Sequence, residues 1–220
     1  MSQSLIQLLV LAAVAVFLVL RLRDVLGTRE GFEKPAVSKT DEPNKDRRSK
    51  FEVIEGGPDP DITDHVDENS DAAKALAAMK AAEPSFNVGE FLGGARGAYE
   101  MILMAFESGD LAGVQPFLSD EVYESFAAVV EDRADKGLKI ESHFVGLREM
   151  KLVDAEFDGD SREGEVTVRF LGELTSVVRD KSGEIVEGNP KEVKRQKDIW
   201  SFARIMGSDN PNWQLVATGE

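Results

Sequence analysis

VTVRFLGELTSVVRDKSGEIVEG, residues 166–188, decides the fold because its first residues alternate between apolar and polar. Val166, Val168 and Phe170 fall on one side of an extended chain, opposite Thr167 and Arg169. This period of two predicts a β-strand with one apolar face and one wet face. The turn signals DKSG at 180–183 and GNP at 188–190 separate it from the strands that follow.

Similar segments flank this stretch, and helical segments precede it. Apolar and polar residues also alternate from Ile140 onward, before this stretch, and over 199–205 and 213–218, after it. These segments predict further strands of one antiparallel sheet. Before Gly137 the period is about 3.6 residues, as in the apolar series Leu92, Ala95, Tyr99, Ile102 and Phe106. Helices first and antiparallel strands afterwards predict an α+β domain, with helices packed on one face of a curved sheet.

The first 26 residues predict a single transmembrane anchor. Residues 5–20 are almost entirely apolar, and the nearest positive charges, Arg21 and Arg23, follow the apolar run. This arrangement predicts that the N-terminus lies outside and the rest of the chain in the cytoplasm. The residues expected to meet lipid or its headgroups include Leu5, Leu9, Val16, Phe17, Leu20, Arg21 and Arg23.

Three segments follow the anchor. Residues 27–70 mix charges of both signs with prolines and few large apolar residues, which predicts a flexible, disordered linker. Residues 71–85 predict a short amphipathic helix, and residues 86–220 the α+β domain.

The composition excludes several classes of site. The net charge of −15 argues against nucleic acid as a partner, because phosphate binding needs a basic surface. The chain has no cysteine, which removes disulfides and thiolate chemistry. His65 and His143 lie far apart in the sequence, so we expect no metal site and no cofactor.

Four strings resemble one known family, in the family's order: FLGGARGAYEMILMAFESGDL from Phe91, LSDEVYESFAAVVEDRADKG from Leu118, the stretch from Val166, and DIWSFARIMGSDNPNWQLVAT from Asp198. They resemble the Tim44-like domain family, named for the adaptor subunit of the mitochondrial inner-membrane protein translocase, and most closely its membrane-anchored bacterial relatives. The resemblance implies a cone-shaped fold like that of nuclear transport factor two. It also implies a non-catalytic adaptor at a bacterial inner membrane that binds membrane proteins, translocation components or chaperones.

The expected binding site is an apolar concavity at the mouth of the cone. Large apolar side chains would supply its contact area, and an arginine would orient an acidic end of the ligand. The candidates are Phe91, Phe170, Trp200, Phe202 and Trp213, with Arg96 or Arg204.

Two other functions stay open at this stage. A cone-fold enzyme or binder of a small hydrophobic ligand would use Asp198, paired with Tyr99 or Tyr123 in an apolar pocket. The plainer interpretation makes Asp198 an exposed charge at a strand edge and both tyrosines core residues. A structural module that dimerises through its sheet is the third possibility, and the oligomeric state is left open.

The glycine-rich string GGARG, residues 93–97, has two interpretations. It could be a phosphate-binding loop, but it follows no predicted strand and lies within a helical pattern. Close packing of this helix against a neighbouring element is the expected explanation.

Overall fold

The computed structural model describes residues 58–219, and within them helices come before strands. The helices are α1 (Pro60–Thr63), α2 (Asp71–Ala82), α3 (Val88–Ser108), a 3-10 helix (Gln115–Phe117) and α4 (Asp120–Asp135). The strands are β1 (Lys139–Phe157), β2 (Glu163–Arg179), β3 (Ile185–Gly188), β4 (Lys194–Ile205) and β5 (Gln214–Gly219).

All five strands belong to one antiparallel sheet. Its order is β1-β2-β4-β5, and β3 pairs with the end of β2. The β1–β2 ladder contains register shifts at Phe144/Gly146, Leu147/Glu149 and Leu152/Asp154, and such bulges bend a strand and increase its twist. The predicted α+β architecture with a curved antiparallel sheet is confirmed.

The long helix α3 has a defined start and end. The Asn87 side chain accepts a hydrogen bond from the Glu90 amide at 2.8 Å, and Gly109 ends the helix in the left-handed region with φ 80°. Between these caps, Leu92, Ala95 and Tyr99 are buried, as the apolar period predicts.

The core lies between the helices and one face of the sheet. Tyr99, Ile102, Leu76 and Met79 contribute from the helical side, and each is fully buried. The strands contribute alternating residues of β2 and β4, which include Val166, Val168, Phe170, Trp200 and Phe202.

The segment just before α2 differs from its prediction, because residues 58–70 of the expected linker are folded against the domain. Ile62 of α1 is buried. The Asp61 carboxylate accepts hydrogen bonds from the amides of Val88 at 2.8 Å and Gly89 at 3.0 Å, and Lys80 donates to it at 2.7 Å. A carboxylate at the start of α3 satisfies amides that have no partner within the helix, and a count of apolar residues does not reveal such a cap.

The predicted anchor at residues 1–26 and most of the predicted linker lie outside the described residues. Within residues 58–219, no helix is long and apolar enough to cross a membrane.

Candidate functional site

An apolar groove of about 680 Å³ opens beside the N-terminal half of α3. One face of α3 forms a wall, and Phe202 and Arg204 of β4 also border the groove. The other bordering residues are Glu83, Ser85, Phe86, Asn87, Phe117, Pro211, Asn212 and Trp213.

Four aromatic rings pack together at this groove. The Trp213 ring centroid lies 4.7 Å from that of Phe91 and 5.7 Å from that of Phe86. Phe202 is next to Phe91, at a centroid distance of 6.1 Å. Phe86, Phe91 and Phe202 are 2–7% exposed and form the buried floor of the groove, so among these four rings the half-buried Trp213 has apolar surface left for a ligand.

One ion pair lies among these rings. Arg204 Nη2 donates to Glu83 Oε2 at 2.7 Å, and the Gly207 amide donates to the same oxygen at 2.6 Å. The guanidinium carbon is 5.3 Å from the centroid of the Trp213 ring. Burial by itself would raise the pKa of Glu83, but the Gly207 amide and Arg204 outweigh it and hold that pKa below its ordinary value.

The α3 wall of the groove is lined by Gly93, Gly94 and Gly97. A Cβ atom added to any of the three would meet no atom within 4 Å. The expected explanation for these glycines, close packing against a neighbouring element, is therefore wrong for the described residues. Met101 continues the same wall, with 40% of its surface exposed.

The structure separates the seven predicted binding residues into three groups. Phe91, Phe202, Arg204 and Trp213 border the groove. Arg96 is exposed and does not border it.

Phe170 and Trp200 form the third group, and they lie in the core. Phe170 is fully buried and Trp200 is 4% exposed. The Tyr99 ring stacks on Phe170 at 4.4 Å and lies 4.8 Å from Trp200. Neither Phe170 nor Trp200 borders the groove, so the structure does not bring these two residues to the predicted binding site.

Asp198 and Tyr99 form a buried pair. Tyr99 donates its hydroxyl proton to Asp198 Oδ2 at 2.6 Å, and Gln196 Nε2 donates to Oδ1 at 3.1 Å. Asp198 is 8% exposed, so the interpretation as an exposed strand-edge charge is wrong. Burial and the adjacent Asp198 both raise the pKa of Tyr99, so its hydroxyl stays protonated.

Asp198 also borders a second cavity, of about 790 Å³, at the other end of the sheet face. Its lining is mostly polar: Glu107, Leu174, Ser176, Lys194, Arg195, Gln196, Lys197 and Asp198. Glu107 accepts hydrogen bonds from Ser142 and Ser176. This cavity offers donors and acceptors but little apolar surface.

The part of the chain that the structure describes contains no group of three or more His, Asp or Glu side chains placed to hold a metal ion.

Sequence analysis did not predict most of the residues that line the groove, among them Glu83, Phe86, Gly94, Gly97 and Met101. Phe86 directly precedes the α3 cap, a position where an apolar residue often packs back on the helix, and this signal was readable. The position of Gly94 and Gly97 beside an open groove was not readable, because it depends on the three-dimensional arrangement of the neighbouring elements.

Comparisons with known proteins point to one family. The Tim44-like domain model matches residues 72–220. A mitochondrial import inner membrane translocase subunit, TIM44-1 of Arabidopsis thaliana, is 23% identical over 197 residues, covering 84% of this chain and 40% of that protein. TIM44 of Homo sapiens, of the same description, is 24% identical over 151 residues, covering 67% of this chain and 33% of that protein.

The chain thus spans well under half the length of these two relatives. Among solved structures, the intermembrane space region of chloroplast protein ARC6 aligns with a TM-score of 0.39 at 12% identity, covering 58% of this chain and 94% of that one. Because the family model covers more than half of the sequence, the chain belongs to the Tim44-like domain family.

Proposed function

We propose that this protein is a membrane-associated, non-catalytic adaptor in protein transport, and that its Tim44-like domain binds apolar segments of partner polypeptides. The partners are membrane proteins, translocation components or chaperones. In this proposal the N-terminal 26 residues hold the chain in a bacterial inner membrane, with the domain on the cytoplasmic side.

The groove beside α3 carries the proposal. Its exposed apolar surface comes from Met101, which is 40% exposed, and from the half-buried Trp213, which packs on the buried rings of Phe86 and Phe91. Exposed apolar surface of this kind costs free energy in water, and covering it with a partner recovers that energy.

The relatives support the same class of function. The two described above carry the name of a subunit of the mitochondrial import inner membrane translocase. The match to this family covers the groove and its surroundings, since it spans residues 72–220.

Photo-crosslinking from two matched positions tests the proposal. A photoreactive phenylalanine analogue replaces either Met101, in the groove, or Val129, on α4 outside it; both native side chains are 40% exposed. The full chain in native membranes is given a radiolabelled membrane protein that is arrested during insertion. We expect the Met101 position to form adducts with the arrested polypeptide and the Val129 position to form few.

Equal adducts from both positions would contradict the proposal, because contact would then be non-specific. Adducts of Met101 with lipid alone would contradict it as well. A Phe91→Ser variant should reduce the Met101 adducts while the Val129 background stays unchanged, since it removes one aromatic ring from the groove.

An enzyme or binder of small hydrophobic ligands remains the second candidate, and the burial of Asp198 favours it. Two observations favour the adaptor instead. The Tyr99 hydroxyl is already committed to Asp198, and the cavity that Asp198 borders is polar. Asp198→Asn should therefore leave the Met101 adducts unchanged; a small apolar ligand that binds the unmodified protein but not the folded Asp198→Asn variant would favour the second candidate.

A further inference from the structure

We infer that the groove receives an α-helix of the partner, packed by close main-chain contact against Gly94 and Gly97, with small residues on the facing side of that helix. The inference rests on the proposed function and deepens it, because it names the conformation and chemistry of the bound segment. Three independent features of the groove support it.

The first feature is a set of glycines that the fold itself does not need. Gly94 and Gly97 lie inside α3, where glycine is less favourable than alanine by roughly 0.5–1 kcal/mol per residue. Neither has a positive φ, and a Cβ atom at either would meet nothing within 4 Å. Their small size therefore serves neither a turn nor internal packing.

What Gly94 and Gly97 provide is a gap between the side chains on one face of α3. Residues three and four apart share one face of a helix, so Gly94, Gly97, Ala98 and Met101 form a continuous strip that borders the groove. Helices normally pack with axes about 8–10 Å apart, set by the contacting side chains, and small residues allow a closer approach.

The second feature is a donor at Arg204 that has no acceptor. The Arg204 side chain is 9% exposed and borders the groove, and its buried Nε makes no hydrogen bond within residues 58–219. Buried donors without acceptors are costly and rare. The carbonyls in the last turn of a helix have no partner in their own helix, so a helix end in the groove supplies an acceptor once the Arg204 side chain turns to expose Nε.

The third feature is charge. The carboxylate of Glu83, 2.7 Å from Arg204, already balances the charge of the guanidinium. Arg204 therefore needs a neutral acceptor for Nε and not an anionic ligand. Glu90 adds an exposed carboxylate to the groove. A bound segment with acidic side chains or an anionic headgroup would be repelled, whereas an apolar helix with neutral or basic side chains would not.

Glycine substitutions provide the first arm of the test. Gly94→Leu and Gly97→Leu fill the strip, Gly94→Ala fills it partly, and Gly113→Ala is the matched control, because Gly113 also has open space around its added Cβ but does not border the groove. The full chain is reconstituted in nanodiscs of zwitterionic lipid, and empty nanodiscs provide the background.

Labelled peptides provide the second arm, with binding measured by fluorescence anisotropy. The probe is a helical peptide of Leu, Ala and Lys of about 18 residues, or about five turns, with Ala at two central positions on one face. Its variants carry Leu at those two positions, Pro at the centre, or Glu in place of every Lys.

We expect the Ala-faced Lys peptide to bind about tenfold more tightly than each of its three variants. We also expect Gly94→Leu and Gly97→Leu to weaken binding about tenfold, while Gly113→Ala leaves it unchanged. The thermal midpoint of Gly94→Ala should rise, because alanine favours the helix and meets no obstacle. If Gly94→Ala is more stable than the unmodified protein but binds the peptide more weakly, the result distinguishes this inference from a structural role of the glycines.

Unchanged affinity in both leucine variants would overturn the inference, as would equal binding of the proline peptide. Concentration-dependent dimerisation that the leucine variants abolish would assign the strip to a second copy of this chain and also overturn it. If the Met101 adducts persist under either result, only the helix assignment fails. If no peptide binds and the adducts are absent, the proposed function fails with it.

Discussion

Gly172 of β2 is the position where one added methyl group should damage the core most clearly. A Cβ atom at Gly172 would lie 2.7 Å from the Tyr99 hydroxyl oxygen and 3.2 Å from Tyr99 Cε1. Tyr99 cannot move aside easily, because its ring stacks on Phe170 at 4.4 Å and its hydroxyl is bonded to Asp198 at 2.6 Å. Gly172→Ala therefore forces a choice between overpacking and loss of a buried hydrogen bond.

The expected cost follows from these two alternatives. Overpacking a tight core costs about 1–3 kcal/mol, and a hydrogen bond to a charged group contributes about 1.5–3 kcal/mol. Replacing glycine with alanine stiffens the unfolded chain and returns about 0.4–1 kcal/mol. We expect a net loss of about 1–2 kcal/mol in the free energy of unfolding.

Urea unfolding of the full chain in mild detergent, followed by tryptophan fluorescence, measures this loss. Trp200 lies 4.8 Å from Tyr99 and reports the local packing. Gly94→Ala is the control, since the same methyl group meets open space there and should raise stability. A Gly172→Ala variant as stable as the unmodified protein would refute the described position of Tyr99.

Three further predictions concern the polar contacts of the domain. Tyr99→Phe should lower the free energy of unfolding by about 1.5–3 kcal/mol, because it leaves Asp198 with one donor fewer; urea unfolding measures this, and a loss below about 0.5 kcal/mol would contradict it. The pKa of Glu83 is held below its ordinary value of 4.5, so its stabilising effect is complete above that pH and is lost as the pH falls through the lowered pKa. As the pH falls from neutral to acidic, the urea midpoint should fall more steeply for the unmodified protein than for Glu83→Gln. Parallel curves of midpoint against pH would count against the Glu83–Arg204 ion pair. Asp61→Ala should lower the free energy of unfolding by about 1–2 kcal/mol, because it removes the acceptor for the Val88 amide and one of the two carboxylate partners of Lys80. A change within about 0.5 kcal/mol would count against the contact of Asp61 with the start of α3.

The order of elements was predictable from the sequence, since the change from a period of 3.6 to a period of 2 near Gly137 separates helices from strands. The folding of residues 58–70 against the domain was not predictable. Asp61 lies in a stretch of mixed charge, and its contacts with Val88 and Gly89 join residues far apart in the chain. Such a contact leaves no periodic signal.

The site was predictable only in part, because alternation places strand residues on a face without showing which end of that face is covered. Phe170, Trp200 and Phe202 share the inner face, yet only Phe202 borders the groove. Tyr99 closes the other part of that face by stacking on Phe170. The pairing of Tyr99 with Asp198 was proposed as an alternative, and the structure brings these two residues together.

Methyl NMR of the methionines tests most directly whether the groove binds polypeptide. The chain has six methionines; Met101 borders the groove, Met79 and Met206 lie in the core, and Met150 is on β1. When the Ala-faced Lys peptide is added to the full chain with labelled methionine methyl groups, the account predicts that the Met101 signal shifts and shows contacts to peptide protons, while the Met150 signal stays in place. A Met101 signal unmoved at saturating peptide would contradict the account.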